Sequence, residues 1–151
     1  DTLEANAIQK ARYAHVRCGM PCIADDTGLE VEALNGAPGV YSARYAGAER
    51  DPQANMAKLL AALDGVAVRK ARFRTVLALI EGSGERTFEG VVEGRIALQP
   101  RGSGGFGYDP VFVPEGGALT FAEMDKAAKN AISHRGRAVA ELVRFLAERY
   151  C

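Results

Sequence analysis

Apolar residues open the chain at helical spacing. Leu3, Ala7, Ile8, Ala11 and Ala14 fall on one face of a helix. Asp1 or Thr2 is placed to cap its start, and Gly19 with Pro21 ends it. Asn6 and Lys10 share a second face, away from most of that stripe. The short apolar run Cys22-Ile23-Ala24 predicts a strand that delivers Asp25-Asp26-Thr27-Gly28 to a turn. Leu29 to Ala33 alternates apolar and polar residues, as a half-buried strand does. Asn35 to Gly47 is rich in glycine and small residues and predicts a loop. Asp51 and Pro52 then supply an N-cap and a first helical residue. The helix they open carries Met56, Leu59, Leu60 and Leu63 and closes at Gly65.

Ala71 to Ile80 is rich in β-formers and ends fully apolar, which suits a central strand. Gly82-Ser83-Gly84 predicts a turn into a second long β stretch, Thr87 to Leu98, broken by Gly90 and Gly94. The two stretches are expected to form a hairpin. A glycine-rich loop follows, then a strand at Val111-Phe112-Val113. Thr120 and Glu123 are spaced as a capping box that starts a helix. Ser133 caps a last helix whose apolar face holds Val139, Leu142, Phe145 and Leu146. Helix, strands, helix, hairpin, strand and helices in that order predict a mixed α/β fold.

Composition narrows the class. A length of 151 residues fits one domain around a single core. Lysine and arginine total 19, as do aspartate and glutamate, so the basic excess usual in nucleic-acid binders is missing. No apolar run approaches the roughly 20 residues that span a bilayer, so no membrane partner is expected. No signal peptide is visible. Three cysteines, Cys18, Cys22 and Cys151, are too few and uneven for a disulfide framework, and imply a reducing, cytoplasmic setting. His15, Cys18 and Cys22 lack the fourth ligand of a structural zinc site, so ordinary cysteines are expected. The chain begins at Asp1, directly on a helix signal, with no methionine before it. An N-terminal segment is therefore expected to precede it.

Three segments carry residues suited to chemistry. Successive strand residues point to opposite faces, so Asp25 and Asp26 have different tasks. One can hold the turn through backbone N–H groups while the other faces a cleft, where it can bind Mg²⁺. A plain aspartate turn before Gly28 is the simpler alternative. The loop SGGFGYDPVF, Ser103 to Phe112, combines glycines with Phe106, Tyr108 and Asp109. Glycine lets backbone approach a ligand, an aromatic ring can stack on a nucleobase, and a carboxylate can accept from a base N–H. A flexible connection with Phe106 in the core is the alternative. In KNAISHRGR, Lys129 precedes Ser133, and the cap at Ser133 puts His134 and Arg135 in the first helical turn. Cations there oppose the helix dipole unless an anion compensates. Solvated surface charge is the alternative reading, as it is for Lys10. A metal-binding carboxylate, basic phosphate partners and an aromatic-plus-acid loop together describe a nucleotide site.

Those segments, IADDTGLEVEALNGAPGVYSARYAG, SGGFGYDPVFVPEG and AKNAISHRGRA, closely resemble the inosine triphosphate pyrophosphatase family over nearly the whole chain. The resemblance implies an α/β fold with an elongated mixed β-sheet, flanking helices and two lobes around a central cleft. It implies a homodimer. It also implies Mg²⁺-dependent hydrolysis of inosine, deoxyinosine or xanthosine triphosphate to the monophosphate and pyrophosphate. By the same resemblance Asp26 is the metal-associated carboxylate and accepts a proton from the attacking water. Thr27 contacts substrate, and Phe106, Gly107, Tyr108 and Asp109 form the base pocket. Lys129, His134 and Arg135 line the substrate site, and Lys10 lies near the phosphates. By the resemblance, residues 1–151 are expected to form a single domain of this kind without the family's first strand, its Ser/Thr-Asn-Lys phosphate loop and a metal-binding glutamate. A non-catalytic nucleotide-binding module is the alternative if that segment is truly absent.

Overall fold

The strand that begins at Cys22 does not stop at the aspartates. In the computed structural model, which describes residues 2–82 and 84–150, β1 runs unbroken from Cys22 to Val31. Each of its residues faces one of β2 (Lys70–Glu81), from Cys22 opposite Ile80 to Val31 opposite Ala71. The expected Asp25–Gly28 turn is thus corrected: a full antiparallel ladder outweighs the local turn preference. β2 pairs in turn with β3 (Gly84–Ile96), the expected hairpin, and β3 pairs with the short β4 (Phe112–Pro114). The sheet order is β1-β2-β3-β4, antiparallel throughout the described residues. Ser83, expected in the hairpin turn, lies outside the described residues, as do Asp1 and Cys151.

Two helices cover the two faces. α1 (Leu3–Cys18) is capped by the Thr2 hydroxyl, which accepts from the Ala5 amide at 3.0 Å. Leu3, Ala7 and Ala11 pack on Val76, Ala78 and Ile80, while Ala14 stays exposed. On the opposite face, α4 (His134–Tyr150) sets Ala138 and Leu142 against Leu77 and Leu79. Beyond these helices the sheet carries the largest apolar cluster. There Leu29, Val31, Phe73, Val92 and Ile96 meet Leu59 and Leu63 from the α2 region, together with Phe112 and Phe121. α2 (Pro52–Ala62) starts as expected, with the Asp51 carboxylate accepting from the Gln53 amide at 3.0 Å.

Two further expectations shift. The capping box forms in full: Thr120 N–H donates to Glu123 Oε1 at 2.9 Å and Glu123 N–H donates to Thr120 Oγ1 at 3.2 Å. It closes one turn only, because the chain turns extended at Asp125, which caps the next helix; the first amides after Thr120, which no helix bonds internally, find tertiary partners. Phe121 N–H donates to Phe112 O at 3.0 Å, and Ala122 N–H to Asp109 O at 3.3 Å. The helix α3 (Lys126–Ile132) starts later, capped by Asp125. Val111 ends a 3₁₀ turn, Asp109–Val111, and β4 follows it. A 3₁₀ turn also takes up Ala33, at Glu32–Leu34, where the strand was expected to continue.

Gly90 shows how closely α4 lies on the sheet. A Cβ there would sit 1.9 Å from the His134 carbonyl oxygen and 2.5 Å from the Ala138 nitrogen. Both obstacles are backbone, so no side chain can swing aside. Gly90→Val is expected to lower stability by about 3 kcal/mol or more, or to dislodge the start of α4. Thermal unfolding monitored by circular dichroism measures it, with Gly84→Val, which meets nothing closer than 3.6 Å, as the control.

Candidate active site

The pleat of β1 divides the aspartate pair between the faces of the sheet. Asp26 points toward α1. Its Oδ2 accepts from the Asn6 amide nitrogen at 3.0 Å and its Oδ1 from Lys10 Nζ at 3.2 Å. The same ammonium donates to the Asp25 carbonyl at 2.9 Å. The face shared by Asn6 and Lys10 is thus turned onto β1. Sequence reasoning noted that spacing but gave Asn6 no part in the site.

Asp25 points the other way, toward the start of α4. Arg135 Nη2 donates to Asp25 Oδ2 at 3.1 Å and lies 3.5 Å from the Thr27 hydroxyl. The anion that makes a cation tolerable at a helix N-terminus is therefore Asp25 itself. Neither carboxylate caps a turn. Thr27 Oγ1 also meets Thr75 Oγ1 at 2.8 Å, which fixes its hydroxyl on the Arg135 side.

On that second face a cavity of about 350 Å³ opens beside β1. Thr27, Leu29 and Phe73 come from the sheet, His134 and Arg135 from α4, and Phe106, Gly107, Tyr108 and Asp109 from the glycine-rich loop. The four loop residues, the two helix residues and Thr27 are ones the sequence singled out. Phe106 is 66% exposed, so the core alternative for its ring does not hold. Asp109 is 3% exposed and looks inward. Its Oδ2 accepts from the Phe106 amide at 3.0 Å and from Lys129 Nζ at 2.5 Å. Lys129 also sits 4.6 Å from the centre of the Phe106 ring, a cation–π contact. Gly105 makes this closure possible: its φ is +68°, and a Cβ would lie 2.1 Å from Asp109 Oδ2.

A buried polar network anchors the loop from below. The Tyr108 hydroxyl donates to the Ser42 carbonyl at 2.6 Å. Burial pushes the Tyr108 phenol well above its ordinary pKa, so it stays a donor. The Ser42 hydroxyl accepts from the Leu29 amide at 2.9 Å and donates to the Gly39 carbonyl at 2.6 Å. Asn55, on α2, donates to the Ala43 carbonyl at 2.9 Å and accepts from the Ala46 amide at 2.7 Å. Sequence reasoning missed both Ser42 and Asn55. A serine in a loop and an asparagine in a helix carry no local signal of such a role.

His134 is 7% exposed and stacks on Phe73, with ring centres 4.7 Å apart and planes 13° apart. Its Nδ1 is buried without a hydrogen-bond partner. Burial, reinforced by the charges of Arg135 and Lys129, lowers its pKa from 6.5 to about 4. The ring is therefore neutral at physiological pH and offers one N–H and one lone pair. Linkage gives the sign of its effect on stability. The unfolded chain takes up this proton at higher pH than the native protein does. The contribution of His134 is thus complete above pH 6.5 and is lost as the pH falls toward about 4. Chemical unfolding of wild type and His134→Gln across that range checks this. The stability difference between them is expected to shrink steadily as the pH drops.

Among the described residues no three histidines, cysteines or acids gather into a metal cluster, and no helix is long and apolar enough to cross a membrane. The comparisons with known proteins then fix the lineage. The Ham1 family model matches residues 1–145. A dITP/XTP pyrophosphatase of Porphyromonas gingivalis is 62% identical over 147 residues, covering 97% of this chain and 76% of that protein. One from Geobacter sulfurreducens is 54% identical over 144 residues, covering 93% and 72%. The solved structure of the Staphylococcus aureus Ham1 protein is similar with a TM-score of 0.96 at 43% identity, over 99% of this chain and 78% of that one. The family resemblance carried by the aspartate pair, the glycine-rich loop and the SHRGR helix start is thus borne out: the chain belongs to the Ham1 family.

Proposed function

We propose that this protein hydrolyses non-standard purine nucleoside triphosphates, namely inosine, deoxyinosine and xanthosine triphosphate, to the monophosphate and pyrophosphate. One observation carries the reading. A cavity of nucleobase size lies on one face of β1, and a carboxylate–lysine–asparagine group lies on the other. In this reading the nucleotide extends from the cavity toward that group. The relatives named dITP/XTP pyrophosphatase support the same substrate class. The reading extends to a cytoplasmic homodimer, as the family resemblance implies.

In this proposal Phe106 stacks on the base, and Gly107 lets the loop backbone approach it. Asp109 and Tyr108 hold the loop in shape, through Lys129 and the Phe106 amide on one side and Ser42 on the other. His134 and Arg135 present N–H donors toward a 6-oxo group. Adenine has no such oxygen and no N1–H, so it would leave those groups unpaired, which discriminates strongly. Thr27 contacts substrate where β1 passes from one site to the other. Lys10 meets the phosphates, and Asp26 accepts the proton of the attacking water. Release of pyrophosphate completes the reaction.

The residues present suit a magnesium ion. Mg²⁺ commonly binds one or two carboxylates and completes its shell with substrate phosphates and water. Asp26 is a hard oxygen donor whose side chain keeps 18% of its surface open, and its two oxygens accept from Asn6 and Lys10. When bound, the ion would supply charge neutralisation at the phosphates.

Pyrophosphate release from inosine triphosphate, compared with ATP and with and without Mg²⁺, tests the proposal. Metal-dependent release favouring inosine triphosphate is expected. Binding without release would leave a nucleotide-binding module instead. Asp26→Asn is expected to lower kcat by about 100-fold or more with an unchanged circular dichroism spectrum. Turnover near wild type would remove Asp26 from the mechanism. Phe106→Ala is expected to weaken binding about tenfold, the low end of base stacking on an aromatic ring, and a KM titration reads it.

A further inference from the structure

Two thiols meet at the corner where α1 hands the chain to β1, outside the nucleotide site. Cys18 is the last residue of α1 and Cys22 the first of β1. Gly19 takes the left-handed conformation at φ +69° and reverses the chain, its amide donating to the His15 carbonyl at 2.8 Å. The reversal brings Cys18 Sγ within 3.3 Å of Cys22 Sγ. Cys18 is exposed and Cys22 half-buried. The Met20 amide reaches Cys18 Sγ at 3.5 Å, and the Met20 carbonyl accepts from the Cys22 thiol at 3.3 Å.

This arrangement separates the two sulfurs chemically. Hydrogen bonds from Met20 and Cys22 hold the Cys18 thiol below its ordinary pKa, and the same thiol–thiol contact pushes Cys22 up. The exposed sulfur is thus the better thiolate and its neighbour is the reserve, the order that suits an attacking and a resolving cysteine. A metal is a poorer fit. His15 Nδ1 is committed to the Met20 carbonyl at 2.6 Å, which leaves two thiols where a soft cation wants four ligands.

We propose that Cys18 and Cys22 form a redox-modification site that low-molecular-weight disulfides convert to an intramolecular bond, locking the α1–β1 corner. The Cys18 thiolate attacks the disulfide RSSR, forms a Cys18–S–S–R bond and expels RS⁻. The Cys22 thiolate then attacks Cys18 Sγ and expels the second RS⁻. Two protein thiols are oxidised, and one RSSR is reduced to two RSH once protons are taken up. The sulfurs must approach by only about 1 Å to reach bonding distance. The bond would tie the helix that carries Asn6 and Lys10 to the strand that carries Asp26 at the point where the chain passes between them.

The test uses the full chain carrying Cys151→Ser, so that no third thiol competes. After incubation with oxidised glutathione, peptide mass spectrometry is expected to find Cys18 joined to Cys22 with the loss of two hydrogens, reversed by dithiothreitol. With Cys22→Ser added, the reaction is expected to stop at one glutathione on Cys18. The oxidised protein is expected to melt a few degrees higher than the reduced one, since the bond restricts the unfolded chain. The proposal is overturned if both thiols stay free, if glutathione settles on Cys22 in preference, or if Cys18 joins a second molecule instead. An unchanged or lower melting temperature would overturn the lock.

Discussion

The site depends on the pleat of one strand. β1 carries Asp25, Asp26 and Thr27 in succession, and alternation sends the middle one to a different face from its neighbours. Asp26 therefore meets α1, while Asp25 and Thr27 meet α4. Both helices are fixed by packing on the sheet: Leu3, Ala7 and Ala11 on one side, Ala138 and Leu142 on the other. A one-residue slip of β1 against β2 would exchange the two carboxylates and move Leu29 and Val31 out of the core. The burial of those two apolar residues therefore also sets the register of the charged ones.

Around the cavity, charged groups are set in pairs. Arg135, unfavourable by itself in the first turn of α4, is answered by Asp25. Lys129 and Asp109 form the most buried ion pair near the cavity, and the Phe106 amide shares the same carboxylate oxygen. Such a pair stabilises only when further hydrogen bonds satisfy it, and breaking it would leave a buried charge. The reward is a defined loop: Phe106 is held outward while the carboxylate beneath it stays inward. Arg74 does comparable work on the α1 face, where it bridges Glu4, Glu30 and Glu89 and so joins a helix and three strands.

His134, at the wall of the cavity, has no such counterpart. It is buried against Phe73 and Phe121 with one ring nitrogen unpartnered. Burial keeps it neutral. A neutral imidazole at the cavity wall offers hydrogen bonds and no charge. The close approach at Gly90 places it there, since α4 could not begin so near the sheet over any larger residue.

The sequence by itself determined the local parts. Helix caps at Thr2, Asp51 and Ser133, the hairpin of β2 and β3 and the glycine-rich loop are all short-range chemistry, and they stand where the pattern put them. The candidate residues Lys10, Asp26, Thr27, Phe106, Lys129, His134 and Arg135 were legible as residue types suited to a nucleotide, as were Gly107, Tyr108 and Asp109. What each of them touches was not. Only the tertiary structure decided that β1 runs through the aspartates, because the ladder with β2 is a long-range contact that turn propensity does not register. Only it decided that the Thr120 box closes a single turn, because the chain turns extended at Asp125 and the next helix is capped there. Ser42 and Asn55 gained their roles in the same way. Their partners lie in other elements, and a hydrogen bond between distant segments leaves no periodicity in the chain.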